Sequence, residues 1–106
     1  MTPQLAALVP NWYRPPRHPP QTIDAACAVF GFSRAELTGD ARFAGLVRAR
    51  WAVMLALHRR GYSTPRIGRA LGGRDHTTVM HGLQRGKLIE ARDPEFARQC
   101  LAVAAA

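Results

Sequence analysis

The stretch GGRDHTTVMHG, residues 72–82, is an unusual sequence for the beginning of a helix. Two consecutive glycines interrupt the apolar spacing of the segment before them, and glycine readily takes the left-handed backbone conformation that tight turns need. Five polar residues, Arg74 to Thr78, then precede the first apolar residue, Val79. We expect a helix to begin at about Asp75 and to continue to about Lys87.

This predicted helix has two different faces. At roughly 100° per residue, small or apolar residues fall on one side and mostly hydrogen-bonding residues on the other. The first side holds Val79, Gly82, Leu83 and Gly86, and the second holds Thr77, His81, Gln84 and Leu88. Just upstream, Ser63 or Thr64 caps another predicted helix, with Pro65 in its first turn. Two such helices joined by a glycine turn predict a helix-turn-helix.

The flanking segments also have helical spacing. Ile23, Ala26, Cys27 and Phe30 recur at i, i+3, i+4 and i+7, and Thr22 is the expected cap. Ser33 and Glu36 have the spacing of a capping box, which predicts a short second helix ending near Gly39. Residues 42–60 predict the longest helix, and residues 94–103 predict the last. The inward residues are expected to be Phe43, Leu46, Val47, Trp51, Met54, Leu57 and His58 in the former, and Phe96, Ala97, Cys100 and Leu101 in the latter.

The chain therefore divides into an arm and a domain. Residues 1–21 contain six of the eight prolines, which predicts an extended, mostly flexible arm. Trp12 and Tyr13 in this arm are expected to pin it to the domain or to contact a partner. Residues 22–106 predict a compact all-α domain of about five to six helices that contains the helix-turn-helix.

The positive charge is concentrated in one part of the chain. The net charge is +8, yet residues 42–92 alone hold eleven basic side chains and two acidic ones, a net charge of +9. Such a local excess favours phosphate backbones or an anionic membrane surface as partners. High solubility and an Arg-rich coding bias are the alternative explanation.

Other functional classes have little support in the sequence. No cysteine and histidine set has zinc spacing, and His76 and His81 are five residues apart, which does not suit one helix face. We expect no metal, no cofactor and no catalytic residue. No run reaches the roughly 20 apolar residues of a membrane span, and the N-terminus lacks a signal-peptide pattern. The expected compartment is the cytoplasm, at the nucleoid.

The polar cluster at the start of the second helix fits contact with DNA. An aspartate accepts from cytosine N4, a histidine contacts a purine or a phosphate, and a threonine methyl meets a thymine methyl. Threonine hydroxyls and a helix N-terminus bind phosphate, to which Arg74 adds charge. Each residue also has a structural alternative. Asp75 could act only as an N-cap, Thr78 could bond back to the helix, and His76 and His81 could be ordinary surface residues.

The run IGRALGGRDHTTVMHG resembles the DNA-binding domain of DnaA-type bacterial replication initiators. TIDAACAVFGFSRAEL and VRARWAVMLAL resemble the family's opening helices and long basic helix, so the resemblance covers about residues 22–103. It implies that Asp75, His76 and Thr77 read the bases of a DnaA-box-like element, and that Arg50 enters the adjacent minor groove. It also implies phosphate contacts from the following residues: Thr64, Pro65, Arg74, Thr78, His81, Arg59 and Arg60.

The sequence contains no G-x-x-x-x-G-K-[ST] phosphate loop, so we expect a stand-alone DNA-binding protein that lacks the ATPase module and binds no nucleotide. Such a protein would regulate initiation or transcription by competing with the full-length initiator or by assisting it. A protein-interaction adaptor that recruits the initiator or another replication factor is the alternative. Trp51 encourages that alternative, because a glutamine usually stands there in the family.

Overall fold

The computed structural model describes residues 19–105, which form six α-helices and no strand. The all-α prediction is confirmed, and so is the short helix, turn and helix arrangement around the two glycines. The helices are α1 (Pro19–Phe30), α2 (Arg34–Thr38), α3 (Ala44–Arg59), α4 (Thr64–Ala70), α5 (His76–Arg92) and α6 (Pro94–Ala105).

Helix α3 is the centre of the domain, and each of the other five helices packs against it. Its residues 52–57 are all buried, so the helix is enclosed on nearly every side rather than along one stripe. The predicted inward positions Phe43 and His58 are wrong, because both side chains are exposed. A helix that is enclosed all round has no single apolar face for its sequence to display.

Several helix ends differ from the prediction. Helix α1 begins at Pro19, and Thr22 is a buried residue inside it rather than its cap. Proline is well tolerated in the first turn of a helix, where its missing N–H has no acceptor. The rest of the predicted arm, including Trp12 and Tyr13, lies outside the described residues. Helix α5 runs to Arg92 and has 17 residues, one more than α3, so the prediction of the longest helix was wrong.

Two predicted caps are present. The Glu36 N–H donates to Ser33 Oγ at 3.1 Å, and the Ser33 N–H donates to the Glu36 carboxylate at 3.0 Å, which completes the capping box of α2. Ser63 caps α4 by accepting from the Arg66 N–H at 3.4 Å. These caps satisfy backbone donors that have no partner within their own helix.

The turn between α4 and α5 depends on its glycines. Gly72 and Gly73 have φ values of +85° and +84°, a region that residues with a Cβ rarely adopt. A Cβ on Gly72 would also overlap the carbonyl oxygen of Thr38, so this turn lies directly against the end of α2. The glycine pair that the sequence analysis singled out therefore determines both the conformation of the turn and its close contact with the end of α2.

Helix α6 closes the core over α1, α3 and α5. Phe96 and Cys100 are buried as predicted, and burial raises the pKa of the Cys100 thiol to about 12. Leu101 was expected to point inward but is 70% exposed, while Val103 is buried instead. Within the part of the chain that the structure describes, no helix is long and apolar enough to cross a membrane.

Candidate nucleic-acid interface

The N-terminus of α5 is organised by Asp75. Its Oδ1 accepts from the Thr77 N–H at 3.2 Å and lies 3.1 Å from His76 Nδ1, so the N-cap role is confirmed. Both contacts use the same oxygen, and Oδ2 makes no hydrogen bond within residues 19–105. The side chain is 67% exposed. Asp75 can therefore cap the helix through one oxygen and accept a hydrogen bond from a ligand through the other.

The outer face of α5 is polar and accessible along its first two turns. His76, Thr77, Thr78 and His81 are all exposed, whereas Val79 is fully buried on the opposite side. Gln84 and Leu88 continue the exposed face, as the helical wheel predicts. Met80, which sequence analysis did not single out, is 48% exposed among these polar residues. The face thus presents both hydrogen-bonding groups and one apolar contact.

The inner face of α5 packs very closely on α3. A Cβ on Gly82 would overlap Met54 Sδ, and a Cβ on Gly86 would lie 3.1 Å from a Leu55 methyl group and 3.2 Å from Trp51 Cβ. The absence of side chains at these two positions lets the backbone of α5 approach α3. Trp51 is half-buried in this contact. Trp51 therefore takes part in the packing of α5 on α3.

A cleft of about 460 Å³ lies beside the N-terminus of α5. Its walls come from the segment between α2 and α3, from α3 itself and from the glycine turn. Four residues predicted to contact DNA meet here, together with others that sequence analysis did not assign. The lining residues are Asp40, Arg42, Val47, Arg50, Trp51, Met54, Gly72, Gly73, Arg74, Asp75 and Thr78.

Arg42 is the residue of this cleft that sequence analysis missed. Its side chain is exposed and, within residues 19–105, makes no ion pair or hydrogen bond. It lies just before α3 in the chain and shares the cleft with Asp75 and Thr78. The signal in the sequence was weak, because Arg42 is one of fourteen arginines and belongs to no recognised motif.

Arg50 lies in a different environment from the one predicted. It is 4% exposed, and its guanidinium donates to four backbone carbonyls rather than pointing outward. These are the carbonyls of Leu37 at 2.8 Å, Ala41 at 2.5 Å, Glu36 at 2.8 Å and Gly39 at 3.0 Å. Burial, followed by the positive charges of Arg74 and Arg42, lowers the pKa of Arg50. In this conformation four of the five N–H donors of Arg50 are used by carbonyls of the domain, and the side chain is buried rather than extended toward a DNA groove.

Arg74 is also engaged within the domain. Its guanidinium donates to the carbonyl of Leu71 and, at 2.6 Å, to the carbonyl of Gly39. Burial is the largest influence on its pKa and lowers it, while Asp40 acts in the opposite direction. The side chain is only partly exposed, and Arg74 lies at the predicted place with two of its N–H donors directed to carbonyls of the domain.

Arg59 and Arg60 lie at the other end of α3, nine residues and roughly 14 Å from Arg50 along the helix axis. Arg59 makes a two-pronged ion pair with Glu90 at 2.6 and 2.9 Å, and Arg60 donates to the Ala104 carbonyl at 2.8 Å. These contacts tie α3 to α5 and to α6. The predicted phosphate-binding pair therefore has structural partners in this conformation.

Thr64 and Pro65 lie where α4 begins, with Thr64 partly exposed and Pro65 exposed. Helix α4 has seven residues, about 10 Å, which separates them from the glycine turn at its far end. They do not line the cleft. The predicted residues thus lie at three places: the start of α5 with its cleft, the start of α4, and the end of α3, where Arg59 and Arg60 are found.

Four of the seven acidic residues form ion pairs with arginines outside the cleft. Asp24, Glu90, Asp93 and Glu95 form ion pairs with Arg34, Arg59, Arg48 and Arg98, respectively. Basic side chains that are exposed and have no acidic partner among the described residues are Arg42, Arg66, Arg69, Arg85, Lys87 and Arg92. Among residues 19–105 no group of three potential ligands is placed to hold a metal ion. The exposed basic side chains without an acidic partner are suited to binding an extended anion.

Comparison with known proteins agrees with this geometry. Residues 20–85 match the model of a family described as the bacterial dnaA protein helix-turn-helix. This match includes α1 to α4 and the first ten residues of α5, and so the whole of the cleft.

Relatives named chromosomal replication initiator protein DnaA are found in several bacteria. The chain is 39% identical over 88 residues to the chromosomal replication initiator protein DnaA of Thermomicrobium roseum, and 35% identical over 77 residues to that of Synechococcus sp. (strain JA-2-3B'a(2-13)). These alignments cover 82% and 72% of this chain but 19% and 16% of the relatives. The chain thus spans less than a fifth of the length of these relatives.

Proposed function

The chain belongs to the bacterial DnaA helix-turn-helix family, and from that premise we propose that it binds double-stranded DNA sequence-specifically at DnaA-box-like sites. The observation that carries this proposal is the exposed polar start of α5, which is mounted on a buried, closely packed scaffold. A recognition helix needs short polar side chains at the end that enters the major groove. It also needs a rigid support, because base readout depends on the position of each donor and acceptor.

Base reading is assigned to Asp75, His76 and Thr77. Asp75 Oδ2 is free to accept from cytosine N4 while Oδ1 caps the helix. His76 and Thr77 occupy the first turn and are exposed, so both can reach base edges in the major groove. Thr78 and His81 flank this set on the same helix and are proposed to contact phosphates.

The remaining proposed contacts with DNA come from the start of α4 and from the cleft. Thr64 and Pro65, at the start of α4, are proposed to meet one phosphate backbone, where the helix N-terminus favours an anion. Arg42 is proposed to contact DNA beside the cleft, in place of Arg50, because Arg42 is exposed and Arg50 is buried. We leave Arg59 and Arg60 out of the proposed interface, since both are held by partners within the domain.

The biological role proposed for this binding is regulation of replication initiation or of transcription. A domain that occupies a box competes with the full-length initiator for that site or assists its loading. Both outcomes start from the same event, the occupation of a DnaA-box-like duplex.

The test is fluorescence anisotropy with a DnaA-box duplex and a scrambled duplex over a series of salt concentrations. Sequence-specific binding predicts a preference of at least tenfold for the box, about 1.4 kcal/mol, that persists as salt rises. Equal affinities that fall together with salt would reduce the surface to a non-specific anchor. The adaptor alternative would then be tested by capture of the initiator at high salt after nuclease treatment.

The base-reading assignment has its own test. Thr77→Ala and His76→Ala should each weaken binding to the box by about 1–3 kcal/mol and leave binding to scrambled DNA nearly unchanged. Neither side chain is buried, so both variants should fold normally. A similar loss on both duplexes would assign these residues to the backbone instead of the bases.

A further inference from the structure

A cluster of backbone carbonyls surrounds one buried cation. Residues 36–41, which we call the carbonyl loop, end α2 and begin the connection to α3. Four carbonyl oxygens of this loop accept hydrogen bonds from Arg50, which is almost completely buried. Residues 36–38 are the end of α2, where carbonyls lack an acceptor role within the helix, and residues 39–41 follow it, so this single guanidinium satisfies four of the six backbone carbonyls.

The carbonyl loop is also attached to the helix-turn-helix. The Gly39 carbonyl accepts from Arg50 at 3.0 Å and from Arg74 at 2.6 Å. Arg74 reaches across the turn as well, to the carbonyl of Leu71 at the end of α4. In addition, Gly72 lies against the Thr38 carbonyl so closely that a Cβ would overlap it. Gly72 and Arg74 of the turn therefore contact Thr38 and Gly39 of the loop, respectively.

These contacts connect two segments of the proposed interface. Arg74 immediately precedes Asp75, the cap of α5, and Arg42 immediately follows the carbonyl loop. Arg42 and Asp75 line the same cleft. The position of the loop relative to the turn thus sets the distance between a flanking cation and the base-reading residues.

We propose that Arg50 and Arg74 are positioning residues that hold the carbonyl loop against the glycine turn, and so fix the start of α5 relative to Arg42. The planar guanidinium has five donors in a fixed arrangement, so one side chain can bind several carbonyls at defined angles. The readout on DNA rests on the proposed function. The positioning itself concerns only contacts within the domain.

A direct phosphate contact by Arg74 is the competing explanation, and lysine separates the two. Lysine keeps the positive charge and binds phosphate as a point charge, but it lacks the planar fork. Arg74→Lys should therefore preserve a phosphate contact and break the bridge between Leu71 and Gly39. Arg50→Lys tests the contacts that attach the carbonyl loop to α3. Arg48→Lys is the matched control, because Arg48 lies on the same helix but pairs with Asp93.

The experiment measures binding of each variant to box and scrambled duplexes over a salt series. We expect Arg74→Lys and Arg50→Lys each to lose about tenfold in box affinity, to change less than about twofold on scrambled DNA and to keep the wild-type salt slope. The double variant should lose much less than the product of the two single losses, because both residues hold the same Gly39 carbonyl. Arg48→Lys should retain the wild-type preference.

A different pattern would overturn the proposal. If Arg74→Lys binds the box as wild type does, while Arg74→Ala weakens both duplexes and reduces the salt slope by about 1, Arg74 is a phosphate ligand. If Arg50→Lys does not fold, Arg74→Lys alone decides, since Arg74 is only partly buried.

A measurement without DNA keeps this inference separate from the proposed function. Residual dipolar couplings of the amides of residues 76–79 report the orientation of the start of α5 in the free domain. Changed couplings in Arg74→Lys but not in Arg48→Lys would support positioning, even if the wild-type protein failed to distinguish the two duplexes. Unchanged couplings in Arg74→Lys would overturn it.

Discussion

At the scale of single residues, Asp75 caps α5 and is also proposed to read a base, two roles that sequence patterns usually present as alternatives. Its Oδ1 caps α5 and also lies against His76, while the exposed side chain keeps Oδ2 for a ligand. A serine at this position would cap the helix equally well through its hydroxyl group. What serine lacks is the second, negatively charged acceptor, which is the group proposed to meet cytosine N4.

Two substitutions at Asp75 separate these roles. Asp75→Ser should leave the free energy of unfolding within about 0.5 kcal/mol of wild type but reduce box preference, because the cap stays and the free acceptor is lost. Asp75→Ala should lower stability by about 1 kcal/mol as well. Urea unfolding and anisotropy on the same preparations check both. Full box preference in Asp75→Ser would leave capping as the residue's only role.

At the scale of elements, glycines set how closely the helices of the interface approach one another. Gly68 in α4 lies under the chain that leads into α5, and a Cβ there would overlap the Arg74 carbonyl. Gly82 and Gly86 do the same between α5 and α3. At Gly68 the nearest atom is a backbone oxygen, so no side chain can rotate away to make room, whereas the nearest atoms at Gly82 and Gly86 belong to side chains.

Gly68→Ala should therefore destabilise the domain by about 3 kcal/mol, although alanine is the better helix former. Gly73→Ala is the control. It has the strained φ of +84° but nothing within 4 Å of a new Cβ, so it should cost only about 1–2 kcal/mol. Urea unfolding measures both, and a smaller loss for Gly68→Ala than for Gly73→Ala would contradict the close approach.

The contact between α3 and α5 also makes stability depend on pH. Arg59 hydrogen-bonds to Glu90 and lowers the pKa of that carboxyl. A lowered folded-state pKa contributes stability above the unfolded value of about 4.3, and this stability is lost as pH falls through the folded value. The effect should stay below about 1 kcal/mol, because Arg59 is half-exposed.

Urea unfolding between pH 6 and pH 3 checks this dependence. Glu90→Gln should lower stability at pH 6 and flatten the acid limb of the curve, because the group that titrates is gone. Glu95→Gln is the control, since the Glu95–Arg98 pair lies on the surface of one helix. The same acid limb in Glu90→Gln and wild type would assign the loss of stability to other carboxyl groups.

At the scale of the whole molecule, hydrogen bonds and ion pairs within the domain divide the basic residues into two sets. One set is used inside the domain, as Arg50 and Arg59 are, and the other remains exposed without an acidic partner. Formal charge alone does not distinguish them. Only the exposed set is available to neutralise phosphates and release counterions.

The salt dependence of DNA binding should reveal this division. If six to eight phosphates are neutralised, log K should fall with log salt at a slope of about −5 to −7. Arg42→Ala and Arg85→Ala should each make that slope shallower by about 1, because Arg42 lines the cleft and Arg85 follows His81 by one helical turn. Arg59→Ala should not change it. An equal effect of all three would mean that the Arg59–Glu90 pair opens on binding.

The sequence by itself determined the features that depend on neighbours along the chain. Helical spacing, the capping box at Ser33, the glycine turn and the two faces of α5 are local patterns, and each was predicted and then observed. The positions of Asp75, His76 and Thr77 at the start of α5 followed from the same motif. A helix with one buried and one exposed face displays both in its sequence.

Only the tertiary structure decided which side chains are available. Arg50 and Arg42 have the same chemistry and lie eight residues apart, yet one is buried among four carbonyls and the other is exposed. Spacing could not predict this, because those carbonyls belong to residues 9 to 14 positions away in the chain. Burial of an arginine depends on acceptors that folding brings to it, and those acceptors are backbone groups that every sequence possesses.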